Sequence, residues 1–372
     1  MNANIKYAAT SLALAAMLLA SCAKLETGGR VNSGDIPLVF RSYSPKAVSS
    51  RVDTGSFVSG TVLPDSCSFG VFAYYQQGTV GSGTPATWNA SRTPDFMFNQ
   101  KVEYFEGDYS YAPLRYWPAN EENTLSFWAY YPYSAYNTGN TGALKLYSNA
   151  ACTAAYTSSS TGLPYAKYTV PMDPDDQVDL LFDSFANTDR TYWNCSPTPG
   201  TIPFTFRHAL SWVEFQIIEG TGAVINSMTV SDIYWSGVCE NPTTRSWTSL
   251  GDLAPYSISD ITVSSSTICS MLLMPQDLTV QDPQLTINYD INFDSSDPGH
   301  PDPIQFKGNS GSVYLKDARN SDDSASAGIT AWEPGHHYIY KIKAGFERIE
   351  FEEVIDAGDD WGTGNSNISV SE

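Results

Sequence analysis

Residues 204–217 read Phe-Thr-Phe-Arg-His-Ala-Leu-Ser-Trp-Val-Glu-Phe-Gln-Ile. Large side chains recur at every second position, which is the period of a β-strand. The parity of the large residues switches between Trp212 and Val213, so the pattern predicts a bulge or a bend within the run. Glu219-Gly220-Thr221-Gly222 then ends the alternation, and we place a domain boundary there.

The same alternation recurs on both sides of this run. Clusters of Pro, Gly, Asn and Asp separate the segments at intervals typical of β-sandwiches. No pattern predicts an amphipathic helix longer than two turns. The chain is therefore predicted to be all-β, with two tandem β-sandwich domains at residues 36–220 and 221–372. The strand-like segments are residues 36–40, 68–75, 96–104 and 124–131 before the break, and 225–230, 271–276, 285–293 and 337–344 after it.

Residues 1–21 have the form of a secretory signal peptide. A short polar start carries Lys6, and an apolar run of about 14 residues follows, too short to cross a bilayer as a stable helix. Leu19-Ala20-Ser21-Cys22 closes the run and resembles the lipobox of bacterial lipoproteins. This resemblance implies cleavage between Ser21 and Cys22, a lipid on the Cys22 thiol, and a flexible tether over residues 22–35. The alternative is an ordinary signal peptide with a chance cysteine.

Composition excludes several classes of partner. The net charge is −20 at pH 7, which argues against nucleic-acid binding and against electrostatic docking on anionic lipid. Charged residues are only 16% of the chain, whereas aromatic residues reach 13% and include 23 Tyr. A surface built from Ser, Thr, Asn, Gly and Tyr suits turn-rich β-structure in an extracellular or envelope setting.

The chain has six cysteines, and Cys22 is assigned to the lipid. The other cysteines are odd in number and have no C-x-x-C spacing, which argues against a zinc site. Two disulfides at most can form, and the sequence does not pair them; reduced thiols in apolar niches are the favoured interpretation. The remaining cysteines are Cys67, Cys152, Cys195, Cys239 and Cys269.

No catalytic constellation is evident from the sequence. His208 lies in the alternating run as a packed or edge residue, His336 and His337 follow a turn, and His300 lies in a stretch rich in Asp and Pro. No G-x-S-x-G motif is present, so we predict neither an enzyme nor a cofactor. Acidic clusters match no EF-hand and are interpreted as solvated loops, with bound calcium left open. These clusters are residues 173–176, 294–302 and 356–360.

Five segments, in their order behind the lipobox, resemble the fimbrillin family, the lipoprotein pilins and fimbria-like adhesins of Gram-negative anaerobes. The resemblance implies two transthyretin-like β-sandwich domains and a structural subunit of a fimbria at the cell surface. It does not separate stalk, tip and anchor subunits. The segments are residues 69–74, residues 115–118 with 125–133, residues 177–182 with 206–211, residues 273–276, and residues 332–340 with Trp361 near the end.

The resemblance also implies a mechanism of assembly. A trypsin-like protease cuts the outer-membrane precursor after an arginine, and a strand from another subunit replaces the released first strand. The candidates are Arg30, Arg41 and Arg51, and we favour Arg51 because it follows residues 36–40 in a Ser-rich segment; the alternative is an ordinary surface arginine. Residues 348–355 and 367–370 either donate such a strand or complete their own sheet.

A second functional hypothesis is a monomeric surface lipoprotein that binds glycans or other host ligands. Tryptophan rings stack on sugar rings, although most tryptophans serve packing. The tryptophans in less regular segments are Trp88, Trp193, Trp235 and Trp247.

Overall fold

The computed structural model describes residues 36–43, 63, 66–120, 122–135, 144–183, 191–193, 201–219, 223–242, 244–259, 267–293, 304–318, 329–344 and 349–356. This part of the chain is nearly all β, as the sequence predicts. Its only α-helix is a single turn, α1 (Leu278–Gln281).

Twenty strands are described. They are β1 (Phe40–Tyr43), β2 (Cys67–Gln76), β3 (Met97–Phe105), β4 (Asp108–Ser110), β5 (Thr124–Tyr131), β6 (Lys145–Tyr147), β7 (Tyr165–Thr169), β8 (Leu181–Asp183), β9 (Thr191–Trp193), β10 (Ile202–His208), β11 (Ser211–Glu219), β12 (Ala223–Asn241), β13 (Ser246–Ser259), β14 (Thr267–Leu273), β15 (Gln276–Asp277), β16 (Gln284–Phe293), β17 (Ile304–Tyr314), β18 (Ala331–Trp332), β19 (His337–Ala344) and β20 (Ile349–Asp356).

These strands form three sheets and one ribbon. Sheet A has the order β1-β10-β8-β5-β2-β3-β4, with β9 paired to β5. Sheet B has the order β14-β11-β19-β20, and sheet C has the order β17-β16-β12-β7-β6, with β13 paired to β12. Strands β15 and β18 form the two-stranded ribbon. Among the described strands, only the β1–β10 and β11–β19 pairings are parallel.

Two hydrophobic cores lie on the two faces of sheet A. The sheet A core contains Phe69, Phe127 and Phe204 from this sheet, together with Leu63 and Trp117 from outside its strands. The inter-sheet core joins sheets A, B and C and contains Phe72 and Trp128. Strand β5 sends Phe127 to one core and Trp128 to the other, so all eight of its residues are buried. This explains why β5 reads as a nearly continuous apolar run rather than a clean alternation.

The bend predicted within residues 204–217 is confirmed. Strand β10 ends at His208 in sheet A, and β11 begins at Ser211 in sheet B. Phe204 and Phe206 lie in the sheet A core, whereas Val213 and Phe215 lie in the inter-sheet core. The chain passes from one sheet to the next at residues 209–210, which is before the parity switch, since Trp212 and Val213 both lie in β11 and in the inter-sheet core.

Strand pairing crosses the division that the sequence predicts at residue 220. Strand β11 precedes that position but pairs with β14 and β19, and β7 pairs with β12. The glycine-containing break after Glu219 therefore separates a strand of sheet B from a strand of sheet C, rather than two independent sets of paired strands. The division into domains at 36–220 and 221–372 stays a prediction.

Candidate functional site: the seat of the N-terminal strand

Residues 36–43 have backbone partners on two sides. On one side, the N–H of Leu38 donates to the carbonyl of Arg115 (2.9 Å), and the N–H of Trp117 donates to the carbonyl of Ile36 (3.0 Å). On the other side, β1 runs parallel to β10, and the N–H of Ile202 donates to the carbonyl of Val39 (2.8 Å). The segment thus lies between two stretches of chain that are distant from it in sequence.

The side chains of this segment alternate between the core and the surface. Leu38 and Phe40 are each only 1% exposed and belong to the sheet A core, and Ile36 packs against it. Val39 is 48% exposed, and Arg41 also faces outward. A strand with this pattern places every second side chain in a hydrophobic groove.

Aromatic rings form the groove around Phe40. Its ring centroid lies 5.2 Å from Tyr111, 5.6 Å from Phe204 and 6.1 Å from Phe127. Trp117 is 5% exposed and packs edge-on against Phe127. The residue that pairs with the backbone of Ile36 therefore also packs its side chain against the groove.

The side chain of Tyr111 makes a hydrogen bond to the backbone of this segment. Its hydroxyl donates to the carbonyl of Leu38 (3.0 Å). Burial raises the pKa of the Tyr111 hydroxyl, so the group stays a neutral donor at physiological pH. No sequence pattern points to this residue, because the contact joins positions far apart in the chain.

The predicted cleavage sites have different relations to this strand. Arg41 lies within β1, opposite Pro203 of β10. A cut after Arg41 would leave Ser42 and Tyr43 attached to the body of the protein. Arg30 and Arg51 lie outside the described residues, as do Ser21 and Cys22 at the predicted signal-peptide junction.

His208 is packed in the interior. Its Nδ1 lies 2.8 Å from Oδ2 of Asp179, and neither side chain is exposed. His337 stacks on Trp212 at 3.6 Å between ring centroids, and its Nε2 lies 3.4 Å from Oε2 of Glu214. His300 lies outside the described residues. The histidines that the structure describes therefore contribute to packing.

Metal and thiol chemistry gain no support from the described part of the chain. Within it, no three or more His, Cys, Asp or Glu side chains are grouped so that they could hold a metal ion. Asp173 caps a 3-10 turn through the N–H of Asp175 (3.0 Å), while residues 294–302 lie outside the description. Among the described cysteines, Cys152 and Cys239 have free thiols, Cys67 is partly buried and Cys269 is buried, whereas Cys22 and Cys195 lie outside the described residues.

Two further predictions concern the ends of the chain. Residues 349–356 form β20, which pairs with β19 and so completes its own sheet, whereas residues 367–370 lie outside the described residues.

Among the described residues, no helix has the length and apolar character needed to cross a membrane.

Comparisons with known proteins are consistent with one another. A family model described as fimbrillin-like matches residues 58–356. The fimbrium subunit Fim1C of Phocaeicola vulgatus is 27% identical over 166 residues, which cover 43% of this chain but only 38% of that relative's length.

The similarity extends to solved structures. A fimbrial protein from Bacteroides vulgatus aligns with 87% of this chain and 99% of its own, with a TM-score of 0.60 and 17% identity, which shows a shared fold. A putative cell adhesion protein from Bacteroides uniformis aligns over 87% and 99% of the two chains, with a TM-score of 0.48 and 14% identity.

Proposed function

The chain belongs to the fimbrillin-like family, and from that premise we propose that it is a structural subunit of a cell-surface fimbria whose first strand is replaced during assembly. The precursor is exported by the signal peptide at residues 1–21, and Cys22 carries the lipid that anchors it in the outer membrane. A trypsin-like protease then removes the N-terminal segment. A strand from another pilin subunit occupies the vacated groove, and the sheet continues from one subunit into the next.

The proposal rests on the backbone partners and the hydrophobic groove that hold residues 36–43. The segment combines main-chain hydrogen bonds on two sides with Leu38 and Phe40 at alternate buried positions. These are the two components of β-augmentation: the backbone provides affinity, and pockets for alternate side chains provide selectivity. An extended peptide of the same pattern from another subunit would satisfy the same groups.

Loss of the strand would leave an unfavourable surface, which favours replacement. Removing Phe40 exposes aromatic surface of Phe127, Phe204 and Tyr111 to water. Burial of one such side chain contributes about 1.5–3 kcal/mol. The groove also contains the carbonyl of Arg115 and the N–H of Ile202, which would each need a new partner.

Arg51 suits this mechanism better than the other two arginines. It follows β1 in the sequence, so cleavage there separates the whole of residues 36–43 from the body of the protein. Cleavage at Arg30 leaves β1 attached, and cleavage at Arg41 divides it. The backbone of Arg41 is also part of a ladder, which opposes binding in a protease cleft.

The partners implied are other pilin subunits, the maturation protease and the lipid of the outer membrane. Host or bacterial surface ligands suit an adhesive filament. The role is structural rather than enzymatic.

Treatment of the precursor (residues 22–372) with an arginine-specific protease, which leaves Lys46 uncut, tests the proposal. We expect the wild type to lose residues 22–51 and to form concentration-dependent ladders that survive mild denaturant. Arg51→Ala should block both, and Arg41→Ala is the matched control that should form ladders normally. Mass spectrometry identifies the new N-terminus. Ladders of Arg51→Ala equal to those of the wild type would exclude Arg51, and a chain that stays monomeric after cleavage would favour the ligand-binding lipoprotein.

A further inference from the structure

A polar cleft lies far from the N-terminal strand, between the turn that joins β12 to β13 and the β15–β18 ribbon. Its volume is about 560 Å³, and Arg245, Trp247, Asp277, Trp332 and Glu333 are among the residues that line it. We call it the Trp247 cleft. This volume lies within the range of about 300–1,000 Å³ found for small-molecule sites.

Two tryptophans are among the residues that line the cleft. Trp332 is 1% exposed, and its Nε1–H donates to the hydroxyl of Tyr340 (2.8 Å). Trp247 is partly exposed, and its Nε1–H donates to the carbonyl of Ala209 (2.7 Å). Because its indole donor is bonded within the protein, Trp247 offers a ligand ring surface rather than a hydrogen bond, whereas Trp332 is too deeply buried to present its ring. Of the four tryptophans singled out in the sequence, Trp247 alone is among those that line this cleft.

Two exposed carboxylates provide acceptors at the cleft. Asp277 accepts from the N–H and the hydroxyl of Thr279 (2.7 and 2.6 Å), and these bonds lower the pKa of its carboxyl group. Glu333 is exposed and sits on a fixed backbone: its N–H donates to the hydroxyl of Tyr338 (2.9 Å), and its carbonyl accepts from the hydroxyl of Ser211 (2.8 Å). Hydrogen bonds therefore hold the side chain of Asp277 and the backbone of Glu333 in place.

Hydrogen bonds within the protein join the walls of the cleft to one another. Arg245 adopts a left-handed backbone conformation at the β12–β13 turn (φ 57°). Its guanidinium donates to the carbonyls of His208 (2.9 Å) and Pro334 (3.3 Å), which joins three separate segments. Gln276 is 5% exposed and is held by the backbone of Tyr234. A site with fixed walls loses little conformational entropy on binding.

The chemistry of the lining distinguishes between two classes of ligand. A cationic side chain would use the carboxylates and the tryptophan, although the guanidinium of Arg245 offsets one of the two negative charges of the lining and so weakens its attraction for a cation. A neutral sugar ring presents hydroxyl donors to carboxylates and an apolar face to an aromatic ring, and it carries no charge for Arg245 to repel. The exposed hydroxyls of Thr244 and Ser246 at the same cleft add both donors and acceptors.

We propose that the Trp247 cleft is a binding site for a neutral saccharide of one or two rings. Asp277 and Glu333 accept from its hydroxyl groups, and Trp247 contacts the apolar face of a ring. The site is independent of the first strand, so it would give each subunit a ligand contact whether or not that subunit is assembled.

Saturation-transfer NMR on the full-length, uncleaved protein in detergent tests this proposal. The probes are free galactose, mannose, fucose, N-acetylglucosamine, lactose and cellobiose, and Nα-acetyl-lysine, used as its methylamide so that it has a net positive charge, serves as the cationic probe. We expect at least one saccharide to receive saturation. Glu333→Gln and Asp277→Asn should each weaken its binding about tenfold, and Trp247→Phe should weaken it while retaining the packing of the ring. Glu103→Gln, an exposed carboxylate on β3, is the matched control and should leave binding unchanged.

Three results would overturn the proposal. They are the absence of saturation transfer to every saccharide, saccharide binding that Glu333→Gln and Asp277→Asn leave unchanged, and binding of the cationic probe alone. Thermal unfolding of each variant confirms that it is folded. Because the experiment uses uncleaved monomer, these results leave the proposed strand replacement untouched.

Discussion

Strand β5 and the segment 36–43, which contains β1, both contribute to sheet A and its core, but they are held very differently. β5 lies in the interior of the sheet and is buried at all eight positions. β1 pairs by a regular ladder only with β10, and its segment contributes Leu38 and Phe40 as its fully buried side chains. The comparison teaches that segments of one sheet can bury very different numbers of faces and edges. The replacement that we propose concerns the segment that buries fewer of them.

The largest expected effect comes from breaking β5. Trp128 is fully buried and stacks on Phe72 and Tyr130, each at 5.6 Å between ring centroids. Trp128→Ala should lower the free energy of unfolding by about 4–5 kcal/mol, since it leaves a large cavity in the inter-sheet core. Urea denaturation measures the loss. Hydrogen exchange should accelerate in residues 124–131 and 36–43 alike, and a loss below about 1 kcal/mol would contradict the central role given to β5.

Truncating Phe40 should have a smaller and local effect. Phe40→Ala empties the aromatic groove, and we expect a loss of about 2–3 kcal/mol by urea denaturation because the sheet edge can partly collapse. Hydrogen exchange should accelerate in residues 36–43 but remain slow in residues 124–131, since β1 opens without the rest of the sheet. Equal acceleration in both strands would show that β1 is not separately detachable.

Tyr111→Phe removes one hydrogen bond to the strand, which should cost about 1 kcal/mol. Burial raises the pKa of the Tyr111 hydroxyl above 10.0 in the folded protein. The stability linked to this group is therefore complete below about pH 10, where the unfolded residue also keeps its proton, and it is lost as the pH rises towards the folded pKa.

The difference between wild type and Tyr111→Phe should consequently shrink as the pH rises above about 10. Urea denaturation of both proteins across this range measures the trend. The other tyrosines titrate in both proteins and cancel in the difference. A difference that grows with pH would contradict the assigned role of the neutral hydroxyl.

The smallest effect is expected at Val39, the outward neighbour of Phe40. Val39→Thr keeps the β-branched shape at a position that is 48% exposed, so the free energy of unfolding should change by no more than about 0.5 kcal/mol. This variant is the matched control for Phe40→Ala. A loss as large as that of Phe40→Ala would mean that the backbone of β1, rather than its alternate buried side chains, responds to substitution.

Much of the fold was accessible from local patterns. The predicted strands at residues 124–131 and 337–344 coincide with β5 and β19, and the parity switch after Trp212 correctly predicted a bend, although the bend lies earlier, at residues 209–210. Alternation is a property of neighbouring residues, so it reports which side chains share a face. It does not report which strand lies alongside, and for that reason the pairings of β7 and β11 across residue 220 were missed.

The candidate site was predicted only in part. The sequence identified residues 36–40 as a strand, and residues 115–118 entered only as part of the family resemblance. The structure sets β1 at residues 40–43 and pairs residues 36 and 38 with the segment around Trp117. Tyr111, Arg115 and Ile202 entered the site only through long-range contacts. The Trp247 cleft likewise joins the turn after β12 to residues 275–277 and 331–334, which no local pattern connects.

The sequence by itself determined the all-β character of this protein, the positions of most strands and the order of motifs that marks its family. These depend on side-chain period and turn residues, which act over a few positions. Only the tertiary structure decided that β1 lies parallel to β10 in an aromatic groove. It also decided that the turn after β12 and the β15–β18 ribbon enclose a polar cleft. Such features follow from packing between segments separated by tens to hundreds of residues, where shape and hydrogen-bond complementarity select the partner.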